Sequence, residues 1–141
     1  MKLLGFNFTK INVEKISDKI NDLQINSKID ILSIEEVKTD LPIENNELIA
    51  VKFTYIIDYI SNVAKLEFAG NLILSADKKV AKEIKNGWKN KKMPDEFKRL
   101  VFNIILRKSN LKAIQLEDDL NIPIHIPLPS IKKEETKTDK L

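Results

Sequence analysis

The chain predicts an α+β fold: an antiparallel four-stranded sheet with two C-terminal helices packed on one face. Three patterns carry that expectation. Apolar and polar residues alternate strictly through 48–74, they alternate more loosely in two earlier segments, and from Asp77 onward the apolar spacing lengthens to that of a helix.

The stretch LIAVKFTYIIDYISNVAKLEFAGNLIL is the organising element. Val51, Phe53, Tyr55, Ile57 and Tyr59 point one way, with Lys52, Thr54, Ile56 and Asp58 opposite. Further on the phase flips, and Ala64, Leu66, Phe68, Gly70, Leu72 and Leu74 form the apolar set. A turn at Ser61-Asn62 sets 59 against 64, 57 against 66, 55 against 68, 53 against 70 and 51 against 72, which joins both apolar sets on one face and pairs Asp58 with Lys65 on the other. A slip of one residue destroys both matches. Phe53 across from Gly70 fits as well, since a ring can cover the backbone that a glycine leaves bare.

Upstream, KLLGFNFTKINV (2–13) sets Leu4, Phe6 and Phe8 against Gly5, Asn7 and Thr9 and reads as a first strand. Residues 16–25 fit either a short helical turn or an irregular loop. KIDILSIEEVKT (28–39) is β-branched and reads as a second strand, and DLPIENNE (40–47) as a connecting loop. These links are too short for helical crossovers, so the four strands are expected as a run of antiparallel neighbours.

Asp77 suits the cap of a helix in which Val80, Ile84 and Trp88 recur at i, i+4 and i+8; Gly87 weakens its end, and 90–93 break it. A second helix begins with Pro94 at its first position and Asp95 and Glu96 in its first turn. It carries two apolar stripes, one of Phe97, Leu100, Val101, Ile104 and Leu111, the other of Phe102, Leu106, Ala113, Leu116 and Leu120, with Ser109 in step between them. A bend is expected near Ser109-Asn110, and Asn121 suits a C-terminal cap. NIPIHIPLPSI, with prolines at 123, 127 and 129, is expected to lie extended against the surface. Residues 1–131 make one domain, and KKEETKTDKL (132–141) reads as a disordered tail.

Between Leu100 and Leu106 only Asn103 is polar. A helix apolar nearly all round needs cover nearly all round, and one four-stranded sheet covers a single side. A second copy of the chain is the economical cover, with Leu100, Phe102, Ile105, Leu106 and Ala113 as candidate interface residues. The competing reading folds the chain's own C-terminal segment over the helix.

Composition narrows the function classes. Hydrophobic content of 43% and charged content of 32% describe an ordinary globular domain. The absence of cysteine removes disulfides, thiolate nucleophiles and cysteine metal sites. MKLLGF is stopped by Asn7 and Lys10 before reaching signal-peptide length, and no apolar run is long enough to span a membrane, so no membrane insertion and a cytoplasmic location are expected. The net charge of +3 hides a segregation: residues 14–47 hold nine acids against four lysines, and 77–92 seven lysines against two acids.

Catalysis finds little support. His125, the sole histidine, has no serine or carboxylate beside it in sequence and reads as structural. Three glycines, at 5, 70 and 87, allow neither a P-loop nor a dinucleotide fingerprint. Glu35 and Glu36 fall on opposite faces of a strand, and Glu117-Asp118-Asp119 reads as a solvated helix end. No enzyme activity, cofactor or metal is expected. Nucleic acid has its best case in Lys78–Lys92 with Trp88, yet Trp88 keeps step with Val80 and Ile84 and so belongs to the core. Apolar contact with another polypeptide remains, through a groove between helix and sheet that receives an extended or unfolded segment.

The order strand, strand, long hairpin, helices and proline-broken tail resembles the SecB family of protein-export chaperones, in particular its small archaeal SecB-like members. GFNFTKI, VKFTYIIDYISNVAKLEFAGNLIL with Glu67 and Gly70, FKRLVFNIILRKSNLKAIQLEDDL and NIPIHIPLP carry the resemblance from about Phe6 to Ile131. It implies a dimer of dimers assembled through the helices that holds non-native polypeptide in apolar grooves without ATP. By residue type it implies Phe6, Phe8, Phe53, Tyr55 and Trp88 as groove residues. SecB proteins that serve the SecA motor are strongly acidic with a conserved tail, whereas this chain is mildly basic and ends in KKEETKTDKL. The functional expectation is thus an ATP-independent, chaperone-like, homo-oligomeric binder of unfolded polypeptide. The alternatives are a nucleic-acid module using Lys78–Lys92 and a subunit dedicated to one partner.

Overall fold

The computed structural model describes residues 1–19, 23–38 and 46–131. Four strands, β1 (Lys2–Lys15), β2 (Ile25–Val37), β3 (Asn46–Tyr59) and β4 (Ala64–Asp77), precede two helices, α1 (Lys78–Lys89) and α2 (Asp95–Asp119). The α+β class, the antiparallel four-stranded sheet and the two C-terminal helices are as expected. The proposed tail at 132–141 and most of the 40–47 loop lie outside the described residues.

The β3–β4 hairpin has the register read from the alternation, with Tyr59 opposite Ala64, Tyr55 opposite Phe68, Phe53 opposite Gly70, and Asp58 opposite Lys65. Ser61 and Asn62 both have positive φ, 71° and 55°, as a type I′ turn requires. Every residue of the apolar set from Val51 to Tyr59 and from Ala64 to Leu74 is buried. Gly70 is obligatory here. A Cβ would run into the backbone oxygen of Asn7 on β1 and stand 3.1 Å from two ring carbons of Phe53. Gly70→Ala is expected to cost about 1–3 kcal/mol, because a backbone atom cannot step aside. Urea unfolding checks this, and an unchanged midpoint would refute it.

The strand order is β1-β4-β3-β2, so the first two strands occupy opposite edges instead of pairing. All pairs are antiparallel. A short link does not force adjacency in so narrow a sheet: its edges stand only three strand spacings apart, about 14 Å at ~4.8 Å each. A link of nine residues is long enough to span that distance, and its described ends flank the hairpin turn. The Ile16 and Ser17 amides donate to Val63 O, and Ile60 N donates to Gln24 O on the other side. Neither described end of the link is helical.

Both edge strands carry bulges, between Leu3 and Gly5 and between Phe8 and Lys10 on β1, and between Ile31 and Ser33 on β2. The first corrects the phase of the opening strand. Leu3 takes the inner position opposite Leu74, and Leu4, expected beside Phe6 and Phe8, is exposed. Such bulges blunt free edges against further strand pairing.

Asp77 caps α1 through its side chain, which accepts from Val80 N at 2.8 Å, and Ala81 and Ile84 face the core. Helix α1 lies over β2, β3 and β4. It ends in a Schellman motif: Lys91 has φ 57°, its amide donates to Trp88 O, and Lys92 N donates to Gly87 O. Pro94 is the N-cap of α2, one residue before the position expected for it.

Helix α2 runs unbroken through Ser109-Asn110, where a bend was expected. Its buried residues, Phe97, Val101, Ile105, Ser109, Ala113 and Glu117, follow a strict i, i+4 row. Asn110 is polar because its side chain has a tertiary partner on the sheet, so it leaves the helix intact. Asn121, in the left-handed region at φ 56°, closes α2 with a second Schellman motif, its amide on Asp118 O and that of Ile122 on Glu117 O. Residues 122–131 then form a strap without helix or strand, and Ile122 is buried. Among the described residues no helix is long and apolar enough to cross a membrane.

Candidate functional site

Along β1 the sheet's inner face runs out to an apolar rim. Phe6 and Phe8 stand edge to face, ring centres 5.0 Å apart, each half-buried, and each leans on a core ring, Phe6 on Phe53 at 5.5 Å and Phe8 on Phe68 at 5.6 Å. Beyond them Ile11, in register with Phe68 on the inner face, is 42% exposed. Of the five aromatic residues expected to line a groove, Phe6 and Phe8 therefore present surface. Phe53 and Tyr55 do not: both are buried in the centre of the sheet, with Tyr55 stacked on Phe68. They lie on β3, which has a paired strand on each side and helices above its inner face. Trp88 is half-buried with Val80, and Lys91 Nζ sits 4.5 Å from its ring centre.

A second apolar surface lies on the open side of α2. The segment Leu100 to Leu106 is not fully sheathed by its own chain: Val101 and Ile105 are buried, and Leu100, Phe102, Ile104 and Leu106 keep a partly exposed edge. Ile105 and Ala113, expected at an interface between copies, are instead enclosed within the single chain, because they fall on the i, i+4 row that faces the sheet. Between α2 and the strap runs an apolar groove of about 540 Å³ lined by Leu106, Arg107, Asn110, Leu111, Ile114 and Ile126. Leu111, at 61% exposure, forms its outer lip.

Beneath the strap is a polar cluster that the sequence did not suggest. Glu117, expected in a solvated helix end, is fully buried, while Asp118 and Asp119 are exposed. One of its oxygens accepts the Tyr59 hydroxyl at 2.8 Å, and the His125 ring Nδ1 lies 2.7 Å from the same oxygen. The other accepts the His125 amide at 3.3 Å. The Tyr59 hydroxyl also meets Pro123 O. Asn110 Oδ1 accepts the Tyr55 hydroxyl at 2.8 Å and lies 2.8 Å from His125 Nε2. Burial, then the hydrogen bond to Glu117, pushes the Tyr59 hydroxyl up, so it stays a donor. Burial does the same to Tyr55. The only available signal was the i, i+4 step of Glu117 from Ala113, which placed it on the buried row.

On α1, Lys85 is held between Glu36 at 2.8 Å and Glu47 at 3.3 Å. The hydrogen bond that Lys85 donates holds the Glu36 carboxyl below its usual range, and the same bond raises Lys85. The acidic and basic segments thus meet each other in part across β2, β3 and α1. One lysine of the candidate nucleic-acid helix is engaged by carboxylates, and its tryptophan is half covered.

No family model matches the sequence, and no curated protein matches it. Among solved structures, the chain is similar to the Mycobacterium tuberculosis Rv1957 SecB-like chaperone, solved in complex with a ChAD peptide from the Rv1956 HigA1 antitoxin. The TM-score is 0.53 at 9% sequence identity, over 93% of this chain and 89% of that one. The order of elements, the antiparallel sheet and the extent of the match agree in one conclusion: this chain has the fold of a SecB-like chaperone.

Proposed function

We propose that the protein is an ATP-independent, chaperone-like binder of unfolded or extended polypeptide, acting as a cytoplasmic homo-oligomer of two or four chains. The observation that carries this reading is the apolar surface left once a single chain has folded, the Phe6, Phe8 and Ile11 rim of β1 and the groove between α2 and the strap. An extended segment fits such surfaces without a dedicated chemistry, since apolar contact is non-directional. The neighbour of like fold holds a peptide, which supports the same use here. Leu100, Phe102 and Leu106 are the residues proposed to meet a second copy, and several apolar rims per oligomer raise avidity. Kinship with the archaeal SecB-like members, and any part in export, belong to this same reading.

Two measurements test it. Light scattering on the purified chain is expected to give a mass above the monomer's 16.2 kDa, and the protein is expected to suppress aggregation of an unrelated, chemically unfolded client. Ile11→Asp puts a charge on the rim at an exposed edge position and is expected to weaken client binding about tenfold, the loss of part of one buried aliphatic side chain. A monomer that leaves aggregation untouched ends the proposal, and so does an Ile11→Asp variant that binds clients as tightly as the native protein. Capture of one stoichiometric partner with no effect on unrelated clients would favour the dedicated-partner reading, to which the neighbour's antitoxin peptide lends support.

A further inference from the structure

The groove between α2 and the strap has a floor without charge and a lip of one sign. Leu106, Leu111, Ile114 and Ile126 make it apolar, and Arg107 is the one charged residue that lines it. Because the buried residues of α2 recur every four, the residues one and two places after each of them form two further rows. One runs along the groove from Lys98 through Leu106 to Ile114. The other faces outward from Arg99 through Arg107 and Leu111 to Gln115, and is exposed throughout.

Up to Gln115 these rows carry three cations, Lys98, Arg99 and Arg107, and no acid, and the strap from Leu120 to Ile131 carries no acid either. Lys98 lies 5.5 Å from the ring centre of Phe102. Among the described residues none of the three cations is within ion-pair distance of a carboxylate. Glu117 is turned inward to Tyr59 and His125. Asp118 and Asp119, the next acids on the two rows, stand at least ~16 Å beyond Arg107 along the axis at ~1.5 Å per residue, past the ~8 Å screening length of physiological salt.

We infer that the groove selects apolar segments interleaved with acidic residues: the apolar side chains seat against Leu106, Ile114 and Ile126, and the carboxylates meet Arg107 and its neighbours on the lip. In an extended segment successive side chains point opposite ways, so one segment can serve floor and lip at once. Basic segments meet like charge there and are disfavoured. The client class so named rests on the polypeptide-binding reading above. Polypeptide is favoured over nucleic acid because the groove lining holds no aromatic ring on which a base could stack.

Fluorescence anisotropy on the full chain tests this with labelled, end-capped heptapeptides in which four leucines alternate with three Glu, three Gln or three Lys. The Glu peptide is expected to bind about tenfold tighter than the Gln peptide, at about twofold for each carboxylate that meets an exposed cation, and the Lys peptide to bind weakest. The differences should close between ~0.1 M and ~1 M salt, where the screening length falls from ~10 Å to ~3 Å. Arg107→Glu is expected to narrow the gap between the Glu and Lys peptides by at least about threefold. Lys52→Glu, the same change of charge at an exposed position on the outer face of the sheet, should leave that gap as it is. A Gln or Lys peptide that binds as tightly as the Glu peptide, or a gap that Lys52→Glu narrows as much as Arg107→Glu, overturns the selection and leaves the polypeptide-binding reading standing. Failure of all three peptides to bind removes both. A single-stranded oligonucleotide that binds more tightly than the Glu peptide and loses affinity in Arg107→Glu assigns the lip to nucleic acid, and overturns the selection as well.

Discussion

Replacing Glu117 with alanine lowers the unfolding free energy by ~2–5 kcal/mol, because the Tyr59 hydroxyl and the His125 amide both lose a buried acceptor and His125 Nδ1 loses its partner, at ~1–3 kcal/mol for each group left unmatched. The reason lies in what stays behind. His125 keeps its place under the strap with no carboxylate at either Nδ1 or the backbone amide, and the Tyr59 hydroxyl retains only Pro123 O. Glu117→Gln preserves an acceptor oxygen and the packing, so its loss is smaller, ~1–3 kcal/mol. Urea unfolding at fixed pH with an unchanged m-value measures both. Equal, small losses for the two variants would show that the carboxylate is not holding the strap.

Phe53→Ala is expected to cost ~3–5 kcal/mol as well, but for a different reason, since the loss is one of packing. The ring is fully buried at the middle of β3, stands opposite Gly70 and leans on Phe6 5.5 Å away. Gly70 has no side chain to collapse into the space, and Asn7 O on the adjoining strand prevents it from acquiring one. The cavity therefore stays open. A drop in melting temperature on the order of 10 °C or more would accompany that loss in a domain of this size. A variant that melts within about 2 °C of the native protein would mean that neighbouring side chains refill the site.

The two sites differ in how far they could be read in advance. Phe53 opposite Gly70 follows from alternation and turn position alone, since period-2 patterning on both arms admits a single register. The cap at Asp77 and the left-handed stop at Asn121 were equally legible, because a cap acts within one turn of its own chain. Glu117 was not. An acid followed by two more acids at a helix end looks solvated, and nothing local says that a tyrosine 58 residues earlier and a histidine 8 residues later converge on the first of them. Asn110 misled in the same way, since a mid-helix Ser-Asn pair suggests a break until the Tyr55 hydroxyl is seen to occupy the amide.

The candidate surfaces divide along the same line. Phe6 and Phe8 lie at a rim because β1 is an edge, whereas Phe53 and Tyr55, of the same chemical type, lie under helices because β3 is central. On α2, Leu100, Phe102 and Leu106 keep exposed area, while Ile105 and Ala113 do not.

What the chain determined by itself is the set of strands and helices, the hairpin register and the helix ends, because each depends on backbone periodicity and on hydrogen bonds made within a few residues. What only the tertiary structure decided is the order of strands in the sheet, the row of α2 that turns inward and the burial of Glu117 against His125. Those depend on contacts between residues far apart in sequence, and a helix apolar nearly all round carries no local mark of which side will meet the sheet.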